Sequence, residues 1–225
     1  ENEKELSRLE VVLEKEINKI ADLARYLTVI QLKALPENFT PEEYTEYYNS
    51  VQQISFGLLA SDSIRCISVR TQTDTITYDV SNGEAHYSAE DIEALHTRGI
   101  EYNRNVALML CEETPGLLFM EYTPSNLSAG AHEVLLTLDL HRLSEACIQE
   151  IDTSQKSYVL SENGMVLIAA RNSEIGTNIE QLFGAGLQEM QGKPGQTFKT
   201  EGGNWYISCA QTQGGLVLLH AAEKA

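Results

Sequence analysis

Residues 1–35, ENEKELSRLEVVLEKEINKIADLARYLTVIQLKAL, carry apolar side chains at Leu6, Leu9, Leu13, Ile17, Ile20, Ala24 and Leu27, with Gln31 next in the series. From Leu13 the steps run four, three, four, three, which keeps one narrow seam on one side of a helix. Glu, Lys and Arg fill the remaining positions, and no Gly or Pro interrupts before Pro36. At ~1.5 Å per residue this is a rod on the order of 50 Å long, more than the diameter of one compact domain. The spacing therefore predicts a helix that serves more than one domain. The alternative is an ordinary long amphipathic helix on a single core.

Downstream, LPENFTPEEYTEYYNSVQQISFGLLASDS holds a second helix start. Thr40 stands at the N-cap, Pro41 at the first helical position, and Glu42 and Glu43 near the positive end of the dipole. The helix is expected from about Pro41 to Leu59, with Tyr44, Tyr47, Tyr48, Val51, Ile54 and Leu58 on its buried side. From Ile64 the texture becomes β-rich. IRCISVRT and TITYDV read as a hairpin. The polar stretch SNGEAHYSAEDIEALHTRGIEYNRN follows, with Ser88 capping a short helix that carries Ile92 and Leu95. VALMLCEE, GLLFMEYT and HEVLLTLDL then read as three more strands. HRLSEACIQEI is helical, with Leu143, Ala146, Cys147 and Ile151 on one side.

After that helix the same order begins again. SYVLSE and MVLIAA flank Asn163-Gly164, a strong hairpin signal. A glycine-dense crossover with short helices leads to QTFKTEG, NWYISCAQT and GLVLLHAA. The repeated order points to two like domains in tandem. The expected fold is α+β: a stalk helix and second helix over 1–60, then one five-stranded antiparallel unit over 61–141 and another over 142–225.

The chain carries a formal charge of −17. Residues 1–33 hold seven acids and six bases, residues 143–225 nine acids and five bases, and the remaining −12 falls on residues 34–142. The five bases there are all Arg: Arg65, Arg70, Arg98, Arg104 and Arg142. Such a surface repels phosphate backbones, which excludes nucleic acid as a partner, and it repels an anionic membrane leaflet. No stretch approaches the ~18 unbroken apolar residues that span a bilayer. Cys66, Cys111, Cys147 and Cys209 are widely separated and form no C-x-x-C, so no zinc or redox motif is read, and buried reduced thiols are expected.

YVLSENGMVLIAARNSEIGTNI resembles the opening of a membrane-proximal Cache module, and FKTEGGNWYISCAQTQGGLVLLHAA resembles that module's ending. With the long first helix and a PAS-like unit closing in VLLTLDL, the whole chain resembles a double Cache extracytoplasmic sensor, most like those of bacterial sensor histidine kinases. The resemblance implies several properties: flanking transmembrane helices, a homodimeric two-component receptor in a bacterial cell membrane, no cofactor, and a ligand held in the membrane-distal unit. The amino-acid-binding subclass has a Tyr, an Arg and a Trp-Tyr pair before the third strand. This chain offers Tyr102 and Arg104 there, and its sole Trp is Trp205 in the second unit. Asp139 matches the Asp that ends the distal unit's last strand.

Five histidines show no H-E-x-x-H or paired metal spacing, and none lies in sequence beside a Ser or Cys nucleophile, so no enzyme is expected in this chain. For binding, Tyr78, Tyr87, Tyr102, Arg104, Tyr122 and Asp139 are the candidate residues. Tyrosine rings supply apolar area with a hydrogen-bonding tip, and an Arg or Asp fixes an oppositely charged group. That set suits a small polar organic molecule. The alternatives are a docking surface for an extracytoplasmic solute-binding protein, or the sensor of a chemotaxis receptor. Arg65 and Arg70 have opposite strand parity, so at most one reaches a pocket.

Overall fold

The first helix, α1, spans Asn2–Gln31 in the computed structural model. That structure describes residues 2–31, 39–59, 63–70, 75–79, 100–103, 106–110, 117–122, 133–148, 154–192, 197–200, 203–212 and 215–224. The expected seam is present: Leu6, Leu9, Leu13, Ile17 and Ile20 are buried, and Ala21 joins them. The side chains of Ala24 and Leu27 lie outside the described residues.

The second helix, α2, spans Pro41–Leu59 and is fixed at its start by two reciprocal bonds. Thr40 Oγ1 accepts from the Glu43 amide at 3.2 Å, and Glu43 Oε2 accepts from the Thr40 amide at 2.7 Å, which together form a capping box. Phe39 stacks on Tyr44 at 5.6 Å across the cap and fixes the entry of the chain. Tyr47 is buried and Tyr44 half-buried, but Tyr48 is exposed, contrary to expectation. Adjacent residues lie about 100° apart on a helix, so a stripe centred on Tyr47 turns Tyr48 outward.

The first sheet contains β1 (Ile64–Arg70), β2 (Thr75–Asp79), β3 (Ile100–Asn103), β4 (Val106–Leu110), β5 (Leu117–Tyr122) and β6 (Glu133–Asp139). Their antiparallel order is β2-β1-β6-β5-β4-β3, so the last strand inserts beside the first. The sheet has six strands where five were expected. The addition is β3, four residues at the edge, too short for its alternation to stand out from the polar stretch around it. It pairs with β4 across Arg104-Asn105, with a register shift at Tyr102. Leu136, Thr137 and Leu138 are consecutive and all buried, so central β6 is covered on both faces. The α2 helix lies along β1 and β2. The expected helix after Ser88 lies outside the described residues.

Helix α3 (Leu140–Cys147) follows β6 directly, and the second sheet comes after it. Its strands are β7 (Gln155–Leu160), β8 (Val166–Ala169), β9 (Thr197–Thr200), β10 (Gly203–Gln211) and β11 (Val217–Glu223). Their order, β8-β7-β11-β10-β9, repeats that of the first sheet without its extra edge. The β7–β8 turn closes at Asn163-Gly164. Gly164 sits at φ +80°, which favours glycine, and its amide donates to Ser161 O at 3.0 Å. In the crossover, α4 (Ile179–Phe183) and α5 (Leu187–Gly192) bury Ile179, Phe183, Leu187 and Met190. Along α3, Leu143, Ser144 and Cys147 are buried. Ser144 Oγ accepts the Ala169 amide of edge strand β8 at 3.3 Å. Ala146, expected on the buried side of α3, is exposed because the stripe runs through Leu140, Leu143, Ser144 and Cys147.

The described chain divides into two compact units, one formed by residues 2–17 and 140–224, the other by 18–110 and 117–139. Each unit thus holds one of the two sheets and one part of α1.

Candidate ligand-binding site

Cross-strand partners share a face of a sheet, so the register of the first sheet sorts its residues into two sets. One set runs Tyr78, Ile67, Leu136, Met120, Leu108 and Ile100 across all six strands. A neighbouring row of the same set joins Ile76, Val69, Val134, Tyr122 and Val106. Apart from its tyrosines and Asn103, which pairs with Val106, this face is apolar. The other set contains Asp79, Cys66, Thr137, Phe119 and Met109 in one row, and Thr77, Ser68, Leu135, Glu121, Ala107 and Glu101 in the next. Arg70 and Asp139 belong to this second, mixed set, opposite Glu133 and Leu117.

The candidate residues therefore separate. Tyr78 and Tyr122 occupy positions on the apolar face, whereas Asp139 belongs to the mixed face. Tyr102 sits at the β3 register shift, between the Glu101–Ala107 and Asn103–Val106 pairs. Tyr87 and Arg104 lie outside the described residues. Arg65 is exposed and falls in a second register shift, between Ile64 and Cys66, so simple alternation does not govern it. Asp139 is half-buried at the end of β6, and its amide donates to Ser63 O at 2.9 Å, which ties that end to the start of β1. Sequence reasoning passed over Asp79, Glu101 and Glu121. Their placement depends on register, and the loops that set register carry no readable signal.

The crossover side of the second sheet is filled by the chain itself. Tyr158, Phe183 and Trp205 are buried and pack edge to face, with centroids 5.9 Å and 6.0 Å apart and both interplanar angles 89°. Lys156 Nζ stands 4.9 Å over the Trp205 ring, and Tyr158 Oη donates to Glu174 at 3.1 Å. Ile179, Leu187 and Met190 complete this core.

On the opposite side of that sheet, Ser157 Oγ and His220 Nδ1 lie 2.9 Å apart as cross-strand partners. The sequence reading missed this pair because the residues are 63 positions apart. At 3% exposure His220 has no route for a substrate, and the bond is that of a satisfied core histidine. Burial pushes the Cys147 thiol up to about 12 and the Cys209 thiol up to about 11, so neither is a nucleophile at neutral pH. Among the described residues no group of three His, Cys, Asp or Glu is placed to hold a metal ion, and no described helix is long and apolar enough to cross a membrane.

No protein-family model and no curated protein sequence matches the chain. Solved structures do. The ligand-binding domain of the Pseudomonas aeruginosa amino acid chemoreceptor PctB, in complex with L-Arg, aligns with a TM-score of 0.63 at 13% identity, covering 99% of this chain and 92% of that one. The corresponding domain of Pseudomonas fluorescens CtaA, with L-isoleucine, gives 0.65 at 8% identity over 99% and 89%. That of Campylobacter jejuni Tlp3, with L-norvaline, gives 0.66 at 9% identity over 98% and 89%. The chain therefore has the fold of bacterial chemoreceptor ligand-binding domains, the double Cache architecture that its own residues resemble.

Proposed function

We propose that this chain is the extracytoplasmic ligand-sensing part of a transmembrane signalling receptor, and that it binds a small polar molecule bearing an amino group at the mixed face of its first sheet. The observation that carries this reading is the contrast between the two sheets. In the second, the crossover side is packed with aromatic rings. In the first, the mixed face combines Asp79, Glu101, Glu121 and Asp139 with Arg70. Carboxylates there suit an ammonium, and Arg104 suits a ligand carboxylate. Tyr87 and Tyr102 supply apolar area, and Tyr78 and Tyr122 hold register positions on the other face. L-Arg, L-isoleucine and L-norvaline, bound by the similar domains, each carry an ammonium and a carboxylate.

The membrane attachment has its own support. Asn2 Nδ2 reaches Tyr206 O at 3.5 Å, and the Lys224 amide donates to Asn204 O at 2.7 Å, so both ends of the described chain run beside the start of β10. Such an arrangement suits two flanking membrane helices, with the unit 142–225 acting as a spacer. The similarity to chemoreceptor domains supports a chemotaxis output, and the residue resemblance supports a histidine kinase. Either output suits a homodimer.

Thermal unfolding in the presence of single L-amino acids, amines, organic acids and sugars at millimolar concentration tests the reading. A ligand at 100 times its Kd adds about 2.7 kcal/mol, so at least one amine-bearing compound should raise Tm by several degrees. No shift with any of them would refute direct binding. The −12 charge on residues 34–142 favours one other reading, a solute-binding protein docked on that stretch. Its signature is a partner from the native extracytoplasmic fraction that is lost as salt is raised.

A further inference from the structure

The buried seam of α1 begins on a polar residue. Half-buried Asn2 stands four residues before Leu6, on the side of the helix that carries Leu6, Leu9 and Leu13, and what it meets on the second sheet is also polar. Asn2 Nδ2 donates to Ser208 Oγ at 3.4 Å and to Tyr206 O at 3.5 Å. The register runs Ser208, His220 and Ser157 in one row across β10, β11 and β7, with Ser157 Oγ 2.9 Å from His220 Nδ1. Residues 2–17 of α1 and this sheet belong to one compact unit. The first turn of α1 is thus seated on a row whose central imidazole is only 3% exposed. Burial disfavours the charged form of such a ring. The ionisable groups around it do not reverse that preference. From α1, half-buried Glu5 is bonded to Arg8 at 2.8 Å, Glu3 and Lys4 are exposed, and Glu10 and Glu16 lie further along the helix, Glu16 by Cys147 of α3. On the sheet, Tyr206 lies beside the row, Lys199 and Lys224 stand either side of Asn204 two rows away, and Lys156 and Glu223 fall on the other face. His141 is carried by α3, which lies along β8.

We propose that this row is a proton-sensitive seat for the start of α1: with His220 neutral the first turn stays on the sheet, and with His220 protonated it lifts and the ring gains water. Ladders on both sides of β11 fix the strand that carries the ring, so the sheet cannot yield to the new charge. The helix start can, because its polar hold is two bonds of 3.4 and 3.5 Å. An unfolded histidine takes its proton at about pH 6.5, and the enclosed one only below that. The stability tied to the neutral ring is therefore complete above that value and is lost as pH falls below it. The device needs no ligand, and the end of α1 that it frees is the one that the reading above connects to the membrane.

NMR of the ligand-free 225-residue chain, titrated from neutral to mildly acid pH, follows the His220 ring and the amides of Leu6 and Leu9. The ring should titrate below the ordinary histidine value of about 6.5. Across that titration, exchange at Leu6 and Leu9, corrected for its intrinsic dependence on pH, should speed about fivefold or more, while Val159 and Leu219 in the sheet stay level. In His220→Gln, which keeps a polar partner for Ser157 and takes no charge, Leu6 and Leu9 should stay level as well. A ring that titrates at or above the ordinary value overturns the proposal. So does α1 exchange that fails to follow the ring, or that still rises with acid in His220→Gln. Should that variant not fold, the titration of the unsubstituted chain decides alone. Each of these results leaves the ligand reading untouched, because no ligand is present.

Discussion

Truncating Phe183 to Ala measures how firmly the crossover side of the second sheet is filled. Phe183 is 2% exposed and lies between Tyr158 and Trp205, whose rings meet it edge-on at 5.9 Å and 6.0 Å. Removing a buried phenyl costs about 3–5 kcal/mol through lost transfer energy and the cavity left behind. The two edge-to-face contacts are lost together and place this site near the upper part of that range, about 4 kcal/mol. For a chain of this size that corresponds to a fall in Tm of roughly 8–16 °C. Trp205 is the only Trp and touches the deleted ring, so its fluorescence reports the transition of this unit. A loss below about 1 kcal/mol would show that the three rings are not a packed core, and the claim that the second unit leaves no room for a ligand would fail with it.

Four further outcomes are expected. Gly164→Ala places a Cβ 3.1 Å from Ile179 Cγ2 at a φ of +80°, and should cost about 1–2 kcal/mol in chemical denaturation. Thr40→Ala should cost about 1 kcal/mol and remove the hydroxyl from the capping box. Hydrogen bonds from the backbone and hydroxyl of Thr40 hold the Glu43 carboxyl below its ordinary 4.5. The stability tied to it is present above that value and is lost as pH falls through the lowered one; NMR titration should find the Glu43 pKa only partly restored in Thr40→Ala, because the amide of residue 40 still donates to it. Cys147 should resist iodoacetamide at pH 8 until the chain unfolds and half-buried Cys209 should react slowly, as read by site-resolved mass spectrometry; rapid labelling of Cys147 would contradict its burial. Arg104→Ala should weaken binding of any amino acid that raises Tm by at least tenfold, about 1.4 kcal/mol, while Trp205→Phe should leave it nearly unchanged. The reverse result would move the site to the second sheet.

Much of the fold was legible because its signals are local. The Leu13–Ile20 seam, the Thr40-Pro41 start and the Asn163-Gly164 turn each write their geometry into adjacent residues, and ten of the eleven strands begin within two residues of where alternation starts. The failures are cases in which distant partners decide. Ile100–Asn103 becomes a strand because β4 is beside it. Tyr48 and Ala146 were assigned to buried stripes whose limits are set by what packs on them. The site was less legible still, since Tyr78, Tyr122 and Asp139 are all strand residues of plausible chemistry. Only the register through the Ile64–Cys66 shift and the long β5–β6 connection assigns them to opposite faces.

The two sheets also show how one topology yields two different surfaces. Both place the last strand beside the first, and in both that central strand is buried on each face: Leu136–Leu138 in one, Val217–Ala221 in the other. Burial on both faces forces the second sheet toward continuous apolar runs, and Val166–Ala169 and Val217–Leu219 are such runs. The first sheet departs from that rule on one face only. There the register places Thr137, Asp139, Glu121 and Asp79. Polar groups as enclosed as buried Thr137 and half-buried Asp139 must be given partners. A sheet that keeps one face largely apolar for packing can tolerate this on the other.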